Sequence, residues 1–539
     1  MSVPAPEPAW GPNRERALQT VAKNVSTRYL AILADMAIGL SLLPFNLAYL
    51  GQSEYGLWVL LGSVTMHFSA FEMGTNALVK FMAQYRAQNN ARAINEIAST
   101  VFVTFGVVGV LAYGLIAGLA FNLEHLFELT AAQAGVGQWI LLIIGLHVML
   151  NFPFSVYGAV TGGFQRYDIN NMVAIVTSVA AAAVNVAIVL AGYGIIHLVA
   201  ATTLVRVSAY LAYRMNAYRV FPELRISPGL FRKSRLKEVM GFSAYMTVID
   251  WANRLNYQID EVIIGVFLGP AAVTVWAPAE RIVSGVQRLT NQVNGVLFPL
   301  IVDSDTTNQQ NRLQQILLEG TRLSLAMVVP IAAAIFVLAH PLIYAWLGSG
   351  ASAVAGAIPV LQILAIAVAI RVGDATSTTL LKGAGSHRLV AGVNLAAGVV
   401  NVALSALLIG PYGLIGVAYG TLIPIGCAAV FVLFPAACRR VNLPVGRAFM
   451  HAVVPAVWPA AVAGVVLFLV RTNVPANLIG VLLASAAAGM VYLLLFIGVA
   501  INQRERSFYL EKAKQMFERG PKPPGTPAPP VAGAIVRGR

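Results

Sequence analysis

The chain is poor in charge, in cysteine and in extended polar segments. Only 11% of its 539 residues are charged while 58% are hydrophobic; a soluble domain carries roughly 25% charged residues. That excludes a soluble enzyme, and equally a disordered or fibrous chain. Cysteine occurs twice, as Cys427 and Cys438. Placed on one expected helix, they stand roughly 16 Å apart, too far to bridge. No disulfide framework and no zinc spacing can be built. No small-residue cleavage site follows the first apolar run, so a cleaved signal peptide is not expected. Loops long enough to hold a domain are also missing. The longest external one, around 122–134, has Glu124 and Glu128 and no base.

What the chain has is a succession of apolar runs of about 20 residues between residues 29 and 501, the mark of a polytopic helical membrane protein. The expected spans are 29–50, 55–80, 96–121, 135–162, 169–192, 194–214, 238–262, 271–302, 315–345, 357–382, 388–410, 412–436, 448–470 and 477–501. The fold class is thus all-α, with fourteen transmembrane helices.

The net charge of +14 does not point to nucleic acid, because of where the bases lie. Twenty-nine of the 36 Lys and Arg residues fall in the termini and in the loops after even-numbered spans, and one, Arg471, in the odd loops. This asymmetry places both termini in the cytoplasm. The remaining six, Arg206, Arg254, Arg281, Arg288, Arg322 and Arg371, fall inside expected spans. Residues 1–28 form a cytoplasmic arm, 215–237 a basic cytoplasmic linker, and 502–539 a cytoplasmic tail. The tail's Pro/Gly-rich end reads as disordered.

Three landmarks recur at a nearly constant offset. Leu50-Gly51 matches Leu268-Gly269 at 218. Gly192-Tyr193-Gly194 matches Pro411-Tyr412-Gly413 at 219. Gly163 matches Gly383 at 220. The reading is a duplication: a six-helix lobe at 29–214, a second at 238–436, and two added helices within 437–501. Six spans per copy gives both lobes the same orientation, with the substrate site between them near mid-membrane.

Polar residues are concentrated on spans 1, 2, 7, 8 and 10, whereas spans 5, 11, 13 and 14 carry almost none and read as lipid-facing or scaffold. Span 7 carries Ser243, Thr247, Asp250, Arg254, Tyr257 and Glu261 on one face. Each ionised residue facing lipid would cost about 2.5–3.5 kcal/mol. Such residues must therefore line water, pair, or both. Asp250 with Arg254 and Arg371 with Asp374 have in-helix spacing for ion pairs. Arg281 and Arg288 have no obvious acid and suit an anionic substrate, with Arg254 and Arg371 adding to a basic cavity. Asp35 and Glu72 lack an in-helix base and, with Asp250 and Asp374, serve ion coupling or structural pairing. His67 reads as a packing histidine. No catalytic residues, metal site or cofactor are expected.

Several segments resemble the polysaccharide-exporting branch of the multidrug/oligosaccharidyl-lipid/polysaccharide exporter superfamily. They are Leu50-Gly51 with Tyr55-Gly56-Leu57-Trp58, residues Ala159 to Tyr167, Asp260-Glu261-Val262-Ile263-Ile264 with Leu268-Gly269, Trp276 to Arg281, and Pro341 to Gly348. The likeness covers about residues 20–440. It implies two six-helix lobes around a central cavity working by alternating access. It also implies flipping of a polyprenyl-diphosphate-linked oligosaccharide, an O-antigen or exopolysaccharide repeat unit, across a bacterial inner membrane. Glycosyltransferases and a polysaccharide polymerase are the implied partners, besides membrane lipid. Fourteen spans also fit the lipid II flippases of that superfamily. A drug/cation antiporter of the same fold is a further reading, although its cavity should be acidic. A membrane-embedded glycosyltransferase or ligase would need a soluble or external domain that is absent.

Overall fold

The computed structural model describes residues 13–68, 75–127, 129–240, 259–290 and 292–501. The described chain is helical throughout. Its helices are α1 (Asn13–Phe68), α2 (Thr75–Ala87), α3 (Ala91–Phe121), α4 (Leu123–Leu126), α5 (Ala131–Gly163), α6 (Tyr167–Leu190) and α7 (Ile195–Val220). After the linker come α8 (Asp260–Thr290), α9 (Gln292–Thr306), α10 (Gln310–Leu347), α11 (Ala357–Gly383), α12 (His387–Arg440), α13 (Val445–Asn473) and α14 (Leu478–Ala500). Eleven helices among the described residues are long and apolar enough to cross a membrane. This is a multi-pass membrane architecture. Leu407, Phe431 and Leu469 are each more than 70% exposed, an apolar outer surface that water would not tolerate and lipid does.

The helix count falls below fourteen partly because helices run on through glycine kinks. α1 continues across Gly51 (φ 76, ψ 173), joining the expected spans 1 and 2. α12 continues across Gly413 (φ 56), joining spans 11 and 12. Only glycine takes up such dihedrals without a Cβ clash. Most of the expected span 7, residues 241–258, lies outside the described residues. So does the tail from 502 onward. The N-terminal arm is helix from Asn13, continuous with α1.

Backbone irregularities pair along the chain. Gly269 in α8 has φ 75 and ψ 176, nearly the values of Gly51. Asn89 (φ 51), just before α3, corresponds to Asn308 (φ 54), just before α10. Gln165 (φ 60), between α5 and α6, corresponds to Gly385 (φ 79), between α11 and α12. Gly163 lets α5 approach Met82 on α2, and Gly383 lets α11 approach Ile301 on α9. Any Cβ at either glycine would collide.

The main core runs through the helices of the N-terminal half and across to α8, α10 and α11. Leu60 and Leu61 of α1, Ile97 of α3, Ile140 of α5, Trp276 of α8 and Val360 of α11 are buried in one cluster. A second cluster joins Ile301, Leu317, Leu381 and Cys438. The last two helices pack on α10, α13 through Ala460, Ala463 and Leu467 and α14 through Val481. Small residues let helix backbones approach where lipid offers no hydrophobic drive. Tyr492 is 1% exposed and spends its hydroxyl on the Ala456 carbonyl. Both cysteines are free, Cys427 exposed and Cys438 buried.

Residues 221–232 do not hang as a free tether. Asn95 on α3 donates to the Glu223 carbonyl and accepts from the Arg225 amide, both at 2.9 Å. Thr100 accepts from the Arg232 amide at 2.9 Å. Arg235 then pairs with Glu96 at 3.4 Å and with Glu238 at 3.1 Å. It also donates to the Tyr85 hydroxyl, which itself donates to Glu238 at 2.6 Å. Burial and the bond to Glu238 push the Tyr85 phenol up to about 12. The linker is stitched to the edge of α2 and α3.

Candidate functional site

The two halves of the chain meet where α1 runs beside α8. At the Gly51/Gly269 end this seam is tight. Thr274 donates to the Gln52 carbonyl at 2.5 Å, and the Gln52 side chain donates to the Ala353 carbonyl. Eleven residues before Gly51, beside Gly39, the Trp346 indole donates to the Leu40 carbonyl at 2.8 Å. Gly56 lies against the Pro270 carbonyl so closely that no side chain fits there.

Farther along, the seam becomes polar. Asp35, sixteen residues before Gly51 and so roughly 24 Å away along α1, pairs with Arg288 of α8 at 2.8 Å. Both side chains are about half exposed. The sequence left Asp35 without an in-helix base and Arg288 without an acid; each finds its partner across the seam. Arg281, seven residues before Arg288 and on the same face of α8, lays its guanidinium against Gly39 of α1. No ion pair to Arg281 occurs among the described residues. Both arginines expected to meet an anion therefore lie on the seam.

Arg371 and Asp374 do not pair with each other along their helix. Arg371 reaches from α11 to the Gln287 side chain of α8 at 3.0 Å. Asp374 instead accepts from Thr378 at 3.0 Å. Cross-helix packing rotates the guanidinium toward the seam and outcompetes the local pair, which is worth only about 0.2–0.5 kcal/mol on an isolated helix. Glu72, Asp250 and Arg254 lie outside the described residues. Asp260, a flanking residue of the expected span-7 stripe, is buried and accepts from Thr421 of α12 at 2.8 Å. His67 bonds the Ser63 carbonyl at 2.7 Å.

Beside the seam lies a cavity of about 560 Å³. Its wall comes from α1, α5, α6 and α7, with Arg281 of α8 as the contribution from the other half. Asp35, Asn46 and Trp58 line it from α1, His147 and Asn151 from α5, Ser178 and Asn185 from α6, Thr202 and Arg206 from α7. The His147 ring stacks on Tyr210 at 5.7 Å, and the Tyr210 hydroxyl bonds His147 Nδ1 at 2.9 Å and Asn151 at 3.2 Å. The expectation that span 5 faces lipid or serves as scaffold is corrected here. Ser178 and Asn185 are few, but both turn inward. A stripe count misses them because Ser178 and Asn185, seven residues apart on one face, are outnumbered by apolar neighbours. Arg206 was legible as a mid-span base, but its face was not.

Among the described residues no group of three or more His, Cys, Asp or Glu side chains is placed to hold a metal ion. Such a seam of charges, flanked by a polar cavity, suits reversible binding of a charged, polar solute.

Residues 49–354 match the family described as polysaccharide biosynthesis protein. No curated protein matches the chain in sequence. Among solved structures, the inward closed conformation of the lipid II flippase MurJ superposes with a TM-score of 0.69 at 12% identity, covering 91% of this chain and 99% of that one. An inward-facing multidrug-resistance MATE transporter of the MOP superfamily gives a TM-score of 0.63 at 15% identity, covering 76% and 94%. A MOP-superfamily transporter from Pyrococcus furiosus with reversed polarity of its binding pocket gives 0.51 at 16% identity, covering 78% and 94%. At these identities the likeness is one of fold.

Proposed function

Because the chain belongs to the polysaccharide biosynthesis protein family, we propose that it moves a polyprenyl-diphosphate-linked oligosaccharide across the bacterial inner membrane by alternating access. The substrate is an O-antigen or exopolysaccharide repeat unit, and both termini are cytoplasmic. The architecture behind this is fourteen spans in two duplicated six-helix lobes plus two added helices. The paired irregularities at Gly51 and Gly269, Asn89 and Asn308, and Gln165 and Gly385 support the duplication. Transport of this kind needs no covalent chemistry and no cofactor. The partners are the enzymes that assemble and polymerise the repeat unit.

The observation that carries this reading is the cationic face of α8 on the seam. A lipid diphosphate must shed water to cross between the lobes, and guanidinium groups replace that hydration with paired hydrogen bonds. Arg281 rests on Gly39, and Arg288 is held by Asp35 and ready to exchange one anion for another. Arg371 lies behind them through Gln287. This basic bias speaks against a cationic drug as substrate. The fold alone does not separate a repeat unit from lipid II, since both present a diphosphate.

The test is accumulation of lipid-linked repeat units on the cytoplasmic side in cells carrying Arg281→Ala or Arg288→Ala. Each variant should insert and accumulate yet export less polymer, and Lys at either position should rescue only in part. Wild-type export by both alanine variants defeats the reading.

A further inference from the structure

We propose that the cavity within the first lobe is a sugar subsite, in which Asn46 and Asn185 bind hydroxyls of the glycan residues nearest the diphosphate. The proposal rests on the transport reading above and deepens it. It divides the substrate between the halves: diphosphate on the arginines of α8, sugar in a pocket walled by α1, α5, α6 and α7.

Asn46 and Asn185 are each 2% exposed, and both line the cavity. Among the described residues the side-chain oxygen of each has no hydrogen-bond partner. A buried amide left unsatisfied is costly, and such groups persist where a ligand completes them. Sugar hydroxyls both donate and accept, so they satisfy either end of an amide. Thr202 donates its own proton to the Leu198 carbonyl at 2.8 Å, which leaves its lone pairs for a hydroxyl donor. Trp58 gives the same wall a flat apolar face, the surface that the C–H side of a pyranose ring covers. The volume of about 560 Å³ sits within the range of about 300–1,000 Å³ usual for small-molecule sites.

A metal cation fits the same oxygen atoms poorly. Arg206 and Arg281 both line the cavity, and the one carboxylate among the described residues of its wall, Asp35, is engaged by Arg288. A neutral polar group with many hydroxyls meets no such repulsion. Arg281 belongs to this wall and to the cationic face of α8 alike, so a diphosphate held there delivers its first sugar into the pocket.

The experiment uses the purified full chain in lipid nanodiscs and two probes. One is polyprenyl diphosphate without sugar. The other is the lipid-linked oligosaccharide pool extracted from the cells that express the protein. Wild type should bind the pool more tightly than the bare lipid. Asn46→Ala and Asn185→Ala should each weaken pool binding by about fivefold, the effect of one net hydrogen bond, and leave bare-lipid binding unchanged. The unchanged bare-lipid affinity doubles as the folding control. Should one variant not accumulate, Asn46→Ser or Asn185→Ser takes its place with the same expectation in weaker form. Pool binding at the wild-type level, or parallel loss of both probes in folded protein, overturns the subsite. A shift in sodium dependence, read against choline, without a change in pool affinity also overturns it in favour of a cation site. Failure of the transport reading looks different: wild type binds neither probe, or Arg281→Ala and Arg288→Ala leave bare-lipid binding intact.

Discussion

The carboxylate of Asp35 and the guanidinium of Arg288 meet at 2.8 Å although 253 residues separate them. The pair ties the first helix of one half to α8 of the other, on the polar stretch of the seam. Both groups are about half exposed, so their attraction is screened and contributes about 0–1 kcal/mol at most. Asp35→Asn is therefore expected to shift thermal stability very little while altering export. The check is a melting curve of purified protein beside polymer output. A large loss of stability with normal export would make the pair structural.

The tight end of the seam should behave as a closed gate. Gln52 bonds the Ala353 carbonyl, so Gln52→Cys with Ala353→Cys is expected to cross-link under oxidation in a background lacking Cys427 and Cys438. The cross-linked protein should stop exporting and recover on reduction. Continued export with the link intact would show that this end never opens.

Gly39 should matter for what lies against it. A Cβ there would stand 2.9 Å from the Arg281 guanidinium carbon, so Gly39→Val must push that group off α1. Export is expected to fall toward the level of Arg281→Ala, with the protein still accumulating in the membrane. Export at the wild-type level would show that the contact does not position Arg281.

The stitched linker gives a stability test with a defined sign in pH. Its phenol is pushed up to about 12, so the proton that Tyr85 donates to Glu238 is retained at every physiological pH. The contribution is full below the ordinary tyrosine range and is lost only as pH rises through the raised value. Tyr85→Phe is expected to speed amide exchange across residues 221–232 by about fivefold, the effect of one net hydrogen bond. No change in exchange would mean that Asn95 and Thr100 hold the linker without Tyr85.

Topology can be read directly. Reporter fusions at residues 128, 350 and 474 are expected to face outside, and those at 90, 228 and 443 inside. Reversal at two or more sites would overturn the orientation.

Composition was enough to give the class of molecule, a helical chain that crosses the membrane many times. Long apolar runs leave no other home than lipid, because backbone groups there must bond within their own helices. The matching glycines were legible too, since a glycine with positive φ, as at Gly51 and Gly269, is a requirement of the backbone and leaves its mark in the sequence. Which polar side chains meet follows from packing between helices. Periodicity places Arg281 and Arg288 on one face of α8 but does not say that Gly39 and Asp35 lie opposite. It offered Arg371 to Asp374 when packing gave it to Gln287. It left Asn46, Asn185 and Arg206 as isolated polar residues on separate helices. The reason is that a helix's own pattern fixes its faces, while its rotation and neighbours follow from packing against helices hundreds of residues away.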